Sequence, residues 1–417
     1  MTLAWKRVLF AALSIALIAA AASSASRTRT TVRPAAASDQ TTELISRAIG
    51  GGIPNGASTN AVISNDKRFA RAIAFESEAS DLVRNDTNGV KDVFVVKRGG
   101  KIDNNGSPWT IGKTVLVSRT ASGAPANGPS FSPAISGGFH WKPKCVAFLS
   151  QASNIVAGDT NNVVDAFLGS VSGRKPKRIS LPGGKQSSQP TTAVAVSGDC
   201  KRIAFVTGGL LYVASGRGKP KLIRSNGPAA DPAFSTGLRN DLVYGASGGV
   251  WLSRNARGSG TLVGPGGRNP VYNDIKRQVV AYEKDSGGHQ QIAYHDIGKP
   301  EKIISSHNGT PGDGDSRNPV IGNAGFYVTF ETDASNLGVN ALGREGDGNG
   351  QPDSYLYTDV RSLTLVESVA DKGVPLNGGG QNPSMSFYAN YIVFDSPAPL
   401  NSSQGAHQIY MRYLGPV

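Results

Sequence analysis

The chain has 417 residues, 52 of them glycine and 24 proline, with 18% charged and 7% aromatic side chains and a formal charge of +13. That length holds one large all-β domain or two ordinary ones, and the composition excludes a disordered chain. Long amphipathic helix patterns are scarce after residue 50, which excludes a helical class, and the positive charge points to anionic partners.

In chain order, residues 1–26 read as a secretory signal. Lys6 and Arg7 precede an apolar stretch from Val8 to Ala22, and small residues follow at Ser23, Ser24 and Ala25. The stretch is short for a membrane span, and an uncleaved leader is the one expected route to a membrane. The expected location is secreted or periplasmic, at the cell envelope. Residues 27–42 read as a disordered linker and 43–417 as the folded part. Export would allow the two cysteines, Cys145 and Cys200, to oxidise. Whether they pair depends on a Cα separation that the sequence leaves open.

From residue 72 onward, short apolar runs recur in a fixed order. The first kind is "AIAF" at 72–75, with counterparts at 146–149, 203–206, 242–245, 279–282, 327–330 and 391–394. The second kind follows each, as in "DVFVV" at 92–96, "DAFLG" at 165–169 and "SYLYT" at 354–358. A third kind comes after a polar turn, as in "TVLVS" at 114–118. A Pro- and Ser-rich segment such as "GPSFSPAIS" at 128–136 leads into the next unit. Four short strands per unit in seven units predict an all-β propeller of four-stranded blades. Six blades result if residues 221–260 are not a unit. "ELISRA" at 43–48 has the third pattern before the first unit, so the N-terminal strand is expected to close the last blade and leave no open edge.

"VISNDKRFARAIAFESEASDLVRNDTNGVKDVFVV" and "CVAFLSQASNIVAGDTNNVVDAFL" resemble the TolB-like, WD40-like (PD40) β-propeller repeats of exported bacterial proteins. The resemblance implies the propeller more firmly than a function, because propellers host many activities.

Blade topology sorts the loops. Loops between strands 2 and 3, and links from strand 4 to the next blade, lie on a first face. They are long at 76–91, 150–164 and 331–353 and moderate at 396–407, which predicts a raised rim over units 6, 7, 1 and 2. The other turns form a second, basic face. It includes Arg98, Arg174, Lys175, Lys177, Arg178, Arg217, Lys219 and Lys221, and a polyanion would suit it. Envelope phosphates or acidic glycans are expected there and nucleic acid is not, since no aromatic–basic interleaving suggests base stacking.

Three related loops carry Asp86, Asn88 and Asp92; Asp159, Asn161 and Asp165; and Asp347, Asn349 and Asp353. Two readings stand. Alternating short oxygen ligands around a turn can hold calcium, best in the third loop, where Glu345 adds an acid. The same residues also cap turns that feed a strand. No Gly-x-Ser-x-Gly elbow, His-Glu-x-x-His or phosphate loop occurs, so the expected function is a non-catalytic module that binds protein or glycan. Some propellers of this broad type are polysaccharide lyases with a His-bound metal on one face. The first-face histidines, His289, His307 and His407, keep a lyase or hydrolase as the alternative.

Overall fold

The computed structural model describes residues 40–102, 106–215, 218–337, 349–359, 363–369 and 375–415. The leader, most of the linker, Arg217, Glu345 and Asp347 lie outside them. The described residues form seven four-stranded antiparallel sheets in chain order. The innermost strand of each sheet touches that of the next, and Ser58–Ile63 in blade 1 touches Gln381–Met385 in blade 7. The sheets therefore close into a seven-bladed β-propeller. The unit on which six or seven blades turned is a full blade, running from Ala230–Phe234 to Thr261–Pro265. A two-stranded ribbon, Ser306–His307 with Thr310–Pro311, joins blades 5 and 6.

The second strand of a blade is buried on both faces, which is why it reads as an unbroken apolar run. In Ala72–Ser77, Ile73 and Phe75 face blade 7, while Ala72 and Ala74 face blade 2. In Cys145–Ser150, Val146 and Phe148 face blade 1, and Cys145, Ala147 and Leu149 face blade 3. Each apolar cluster thus belongs to a junction between two blades. Cross-strand aromatic pairs head this packing: Phe75 with Phe94, Phe148 with Phe167, Phe205 with Tyr212, and Phe330 with Tyr355. Such a pair contributes about 0.5–1.5 kcal/mol beyond its area burial.

Closure comes from the N-terminal strand, as the sequence predicts. Thr41–Leu44 pairs antiparallel with His407–Tyr413 as the outer strand of blade 7. Its start is two residues upstream of the expected boundary at 43. It covers Arg412, which is fully buried and donates to Gln40 Oε1 at 2.6 Å. Cys145 and Cys200 form a disulfide with a Cα separation of 6.2 Å, joining the second strand of blade 2 to the 1–2 turn of blade 3.

Removal of residues 1–44 is expected to lower the melting temperature and to cause self-association through the freed edge of blade 7, read by calorimetry and size-exclusion chromatography. Reduction of the disulfide releases a loop of 55 residues. It should cost about 4 kcal/mol on a chain-entropy basis, measured by denaturant titration with and without reductant. Burial pushes Glu367 up to about 7, with Arg412 opposing in part. The folded chain therefore keeps a proton that the unfolded chain releases near about 4.3. This contribution to stability is full below that lower value and is lost as pH rises through about 7. Glu367→Gln should melt above the parent at about pH 8 and close to it at about pH 4.

Candidate functional site

The Asp-x-Asn loops are locks at the start of the third strand. In blade 1, Ser118 Oγ donates to Asp92 Oδ1 and receives the N–H of Val93. Asn88 Nδ2 donates both to Asp92 Oδ2 and to the Ala126 carbonyl, while its Oδ1 accepts the Val90 N–H. Two acceptors on one atom fix that atom as the amide nitrogen, so Asn88 presents no oxygen to a metal beside Asp92. Blade 2 repeats the lock with Asp165, Ser180 and Asn161, which also donates to the Ser187 carbonyl. Blade 6 repeats it with Asp353, Ser368 and Asn349, which also donates to the Leu376 carbonyl.

Blades 5 and 7 build the same lock from one residue. Gln291 accepts from Ser305 through Oε1 and donates to the Gly312 and Gly314 carbonyls through Nε2. Gln408 accepts from Ser46 and donates to the Gly56 carbonyl. Glutamine carries both the acceptor and the donor that Asp and Asn divide elsewhere.

The motif shared by the long first-face loops is a second clip. Ser80 and Asp81 bond Asn55, Ser153 and Asn154 bond Asn127, and Ser335 and Asn336 bond Asp313. Each fastens a long loop to the link that enters its own blade. The rim loops therefore stand on fixed bases.

The polar residues that converge at the channel were not singled out by sequence. Each innermost strand is bulged near its start, and in six blades the bulge holds a left-handed residue: Asn60, Ser132, Asp231, Asn269, Asn318 and Asn382, with φ from +45 to +56°. Proline follows in five of them, as expected where a ladder donor is not needed. The bulge turns the backbone N–H toward the preceding blade, where a carboxylate on the second strand accepts it. Glu76 takes the N–H of Ser132 at 2.8 Å, Glu283 that of Asn318 at 2.9 Å, Glu331 that of Asn382 at 2.8 Å, and Asp395 that of Asn60 at 3.4 Å. Lys91, Arg268, Arg317 and His407 pair with these same acids. Burial pushes Glu283 up, and Asp231 likewise. The signal in the sequence was the acid that ends the second strand together with the Asn-Pro that opens the first.

This polar ring lies at the first-face end of the channel, because first strands enter and second strands leave there. A cleft of about 700 Å³ opens beside it between blades 1 and 2. Asn60, Glu76, Glu78, Lys91, Phe131 and Ser132 are among its lining residues.

On the second face, Arg174, Lys175, Lys177, Lys219 and Lys221 are exposed. Two other cations expected there are internal. Arg178 pairs with Asp159 and Asp165, and Arg98 is buried against the Phe69 and Ser107 carbonyls. Turns distant in sequence also bring cations onto rings. Lys67 lies 4.7 Å from the Phe139 ring, Arg68 4.8 Å from Tyr388, and Lys201 5.8 Å from Trp141. That interleaving, absent along the sequence, exists in space.

The first-face histidines have separate partners: His407 meets Asp395, His289 meets Asp315 and His307 meets Asn308. Among the described residues no group of three or more His, Cys, Asp or Glu side chains is arranged to hold a metal ion. Among them, too, no helix is long and apolar enough to cross a membrane.

No family model matches the chain, and neither does any curated protein. Solved structures do. An oligogalacturonate lyase in complex with manganese is similar over 87% of this chain and 92% of its own, at 10% identity and a TM-score of 0.50. TolB from Acinetobacter baumannii is similar over 71% of this chain and 82% of its own, at 13% identity and a TM-score of 0.35. A puromycin-hydrolyzing peptidase from Mycobacterium tuberculosis is similar over 88% of this chain and 52% of its own, at 11% identity and a TM-score of 0.48. At such identities the likeness is one of fold: the chain is a seven-bladed β-propeller, and TolB proteins are among the propellers it is similar to.

Proposed function

We propose that the chain is an exported, non-catalytic propeller that binds a protein or glycan at the cell envelope through its long-loop face. The cleft between blades 1 and 2 carries this reading. It sets one half-buried aromatic, Phe131, among Glu76, Glu78, Asn60 and Lys91. An aromatic face with amide, carboxylate and ammonium groups around it suits a sugar ring or a polar peptide. The clipped loop bases supply a rigid frame for such a site. Export is supported by the leader-like residues 1–26 and by the Cys145–Cys200 disulfide, a bond that persists in oxidising compartments. The exposed lysines and arginines of the second face would add salt-sensitive attraction to an anionic envelope. Binding is preferred over lyase chemistry because the first-face histidines have separate partners.

The test is capture from a native envelope fraction and from a panel of neutral and uronate oligosaccharides, over a salt series. Binding that persists at high salt and weakens at least about tenfold in Phe131→Ala is the expected result. Capture that fades steadily with salt, equally in Phe131→Ala, would assign binding to the basic face and remove the cleft. Release of unsaturated uronate from the same oligosaccharides, followed by absorbance, would establish the lyase instead.

A further inference from the structure

The loops at Asp86 and Asp159 share one design and differ in the cation that meets it. In each, the backbone of the Asn two residues on lies beside the first Asp and favours its charged form. In each, the second Asp is held by a Ser and that Asn. In blade 2 a guanidinium bridges the two acids, with Arg178 Nη2 3.2 Å from Asp159 Oδ1 and Nη1 3.3 Å from Asp165 Oδ2. Arg178 stands opposite Phe167 in the outer-strand register. The residue opposite the corresponding Phe94 of blade 1 is Leu116. Blade 1 thus keeps both carboxylates without the guanidinium.

The consequence is visible at Asp86. It is 7% exposed, and its Oδ1 is enclosed with no hydrogen-bond partner. A buried carboxylate oxygen in that condition is costly unless a cation meets it.

We propose that blade 1 binds a calcium ion between Asp86 and Asp92, in the seat that the Arg178 guanidinium fills in blade 2. The two carboxylates are hard oxygen donors, which favours calcium over softer ions. Exposed Asn85, Thr87 and Gly89 leave the loop open to water for the remaining ligand positions. Magnesium, which demands near-ideal octahedral geometry, fits an irregular surface loop less well. Asn88 is not a ligand, because its amide nitrogen faces Asp92. Blade 2 needs no ion, since Arg178 is already there.

The full chain, stripped with chelator, is titrated with calcium chloride by calorimetry and melted with and without the ion. The expected result is a saturable heat and a calcium-dependent rise in melting temperature. Both should be lost in Asp86→Asn, which keeps the turn oxygen and removes the charge, and retained in Asp353→Asn. Leu116→Arg should melt in chelator at or above the calcium-saturated parent and no longer respond to the ion. If that variant does not fold, the comparison of Asp86→Asn with the parent decides. No response of the parent up to millimolar calcium, or a response that survives in Asp86→Asn, overturns the proposal. An equal response to magnesium overturns the assignment of calcium.

Discussion

The molecule depends on burial between sheets rather than within them. A four-stranded blade has two apolar faces and no helix to cover either, so a blade alone would leave both in water. The residues settle this by alternation. Ile73 and Phe75 go one way, against Tyr391 and Val393 of blade 7, and Ala72 and Ala74 go the other, against Val146 and Phe148 of blade 2. Seven such junctions leave no face uncovered only if the first blade also meets the last. Everything polar in the molecule is fitted around that requirement.

The locks and the channel ring show how. At the entry to the third strand a serine accepts a backbone N–H in five blades, and Asp92, Asp165, Asp353, Gln291 and Gln408 each hold that serine in place. The bulges beside the channel do the reverse. They turn an N–H out of its own sheet, and the acid of the preceding blade takes it up. Blades are thereby held by directional bonds at the channel and by apolar contact farther out. The first-face cleft, with Glu76 and Asn60 in its wall, is carved directly from that bonded ring.

Much of the fold was legible because period-2 apolar runs and turn residues are local signals. "AIAF" and "DVFVV" state their strands outright, and "ELISRA" points to the closing strand, which starts two residues earlier and ends four residues earlier than that stretch. The site was less legible, for definite reasons. Gln291 and Gln408 do not resemble an Asp–Asn pair, although one amide performs both tasks. Arg178 reads as a surface cation in "GRKPKR", yet its strand register turns it onto Asp159 and Asp165. The ring contacts of Lys67 and Lys201 join turns of neighbouring blades, and that of Arg68 with Tyr388 joins blades 1 and 7, which only closure brings together. Pattern reveals what neighbours in sequence do; it is silent on what the ring makes adjacent.

The closing strand has a temporal meaning as well. Thr41–Leu44 is synthesised long before its partner His407–Tyr413, with Gln40 and Arg412 separated by 372 positions. Blades 1 to 6 can each pair their own strands as they appear, but the seventh must wait until Thr41–Leu44 can meet His407–Tyr413. The seven blades are therefore made with a strand held in reserve and an edge still to be filled. A chain broken off before His407 could assemble blades but never this closed ring, so closure registers that all seven blades have been made.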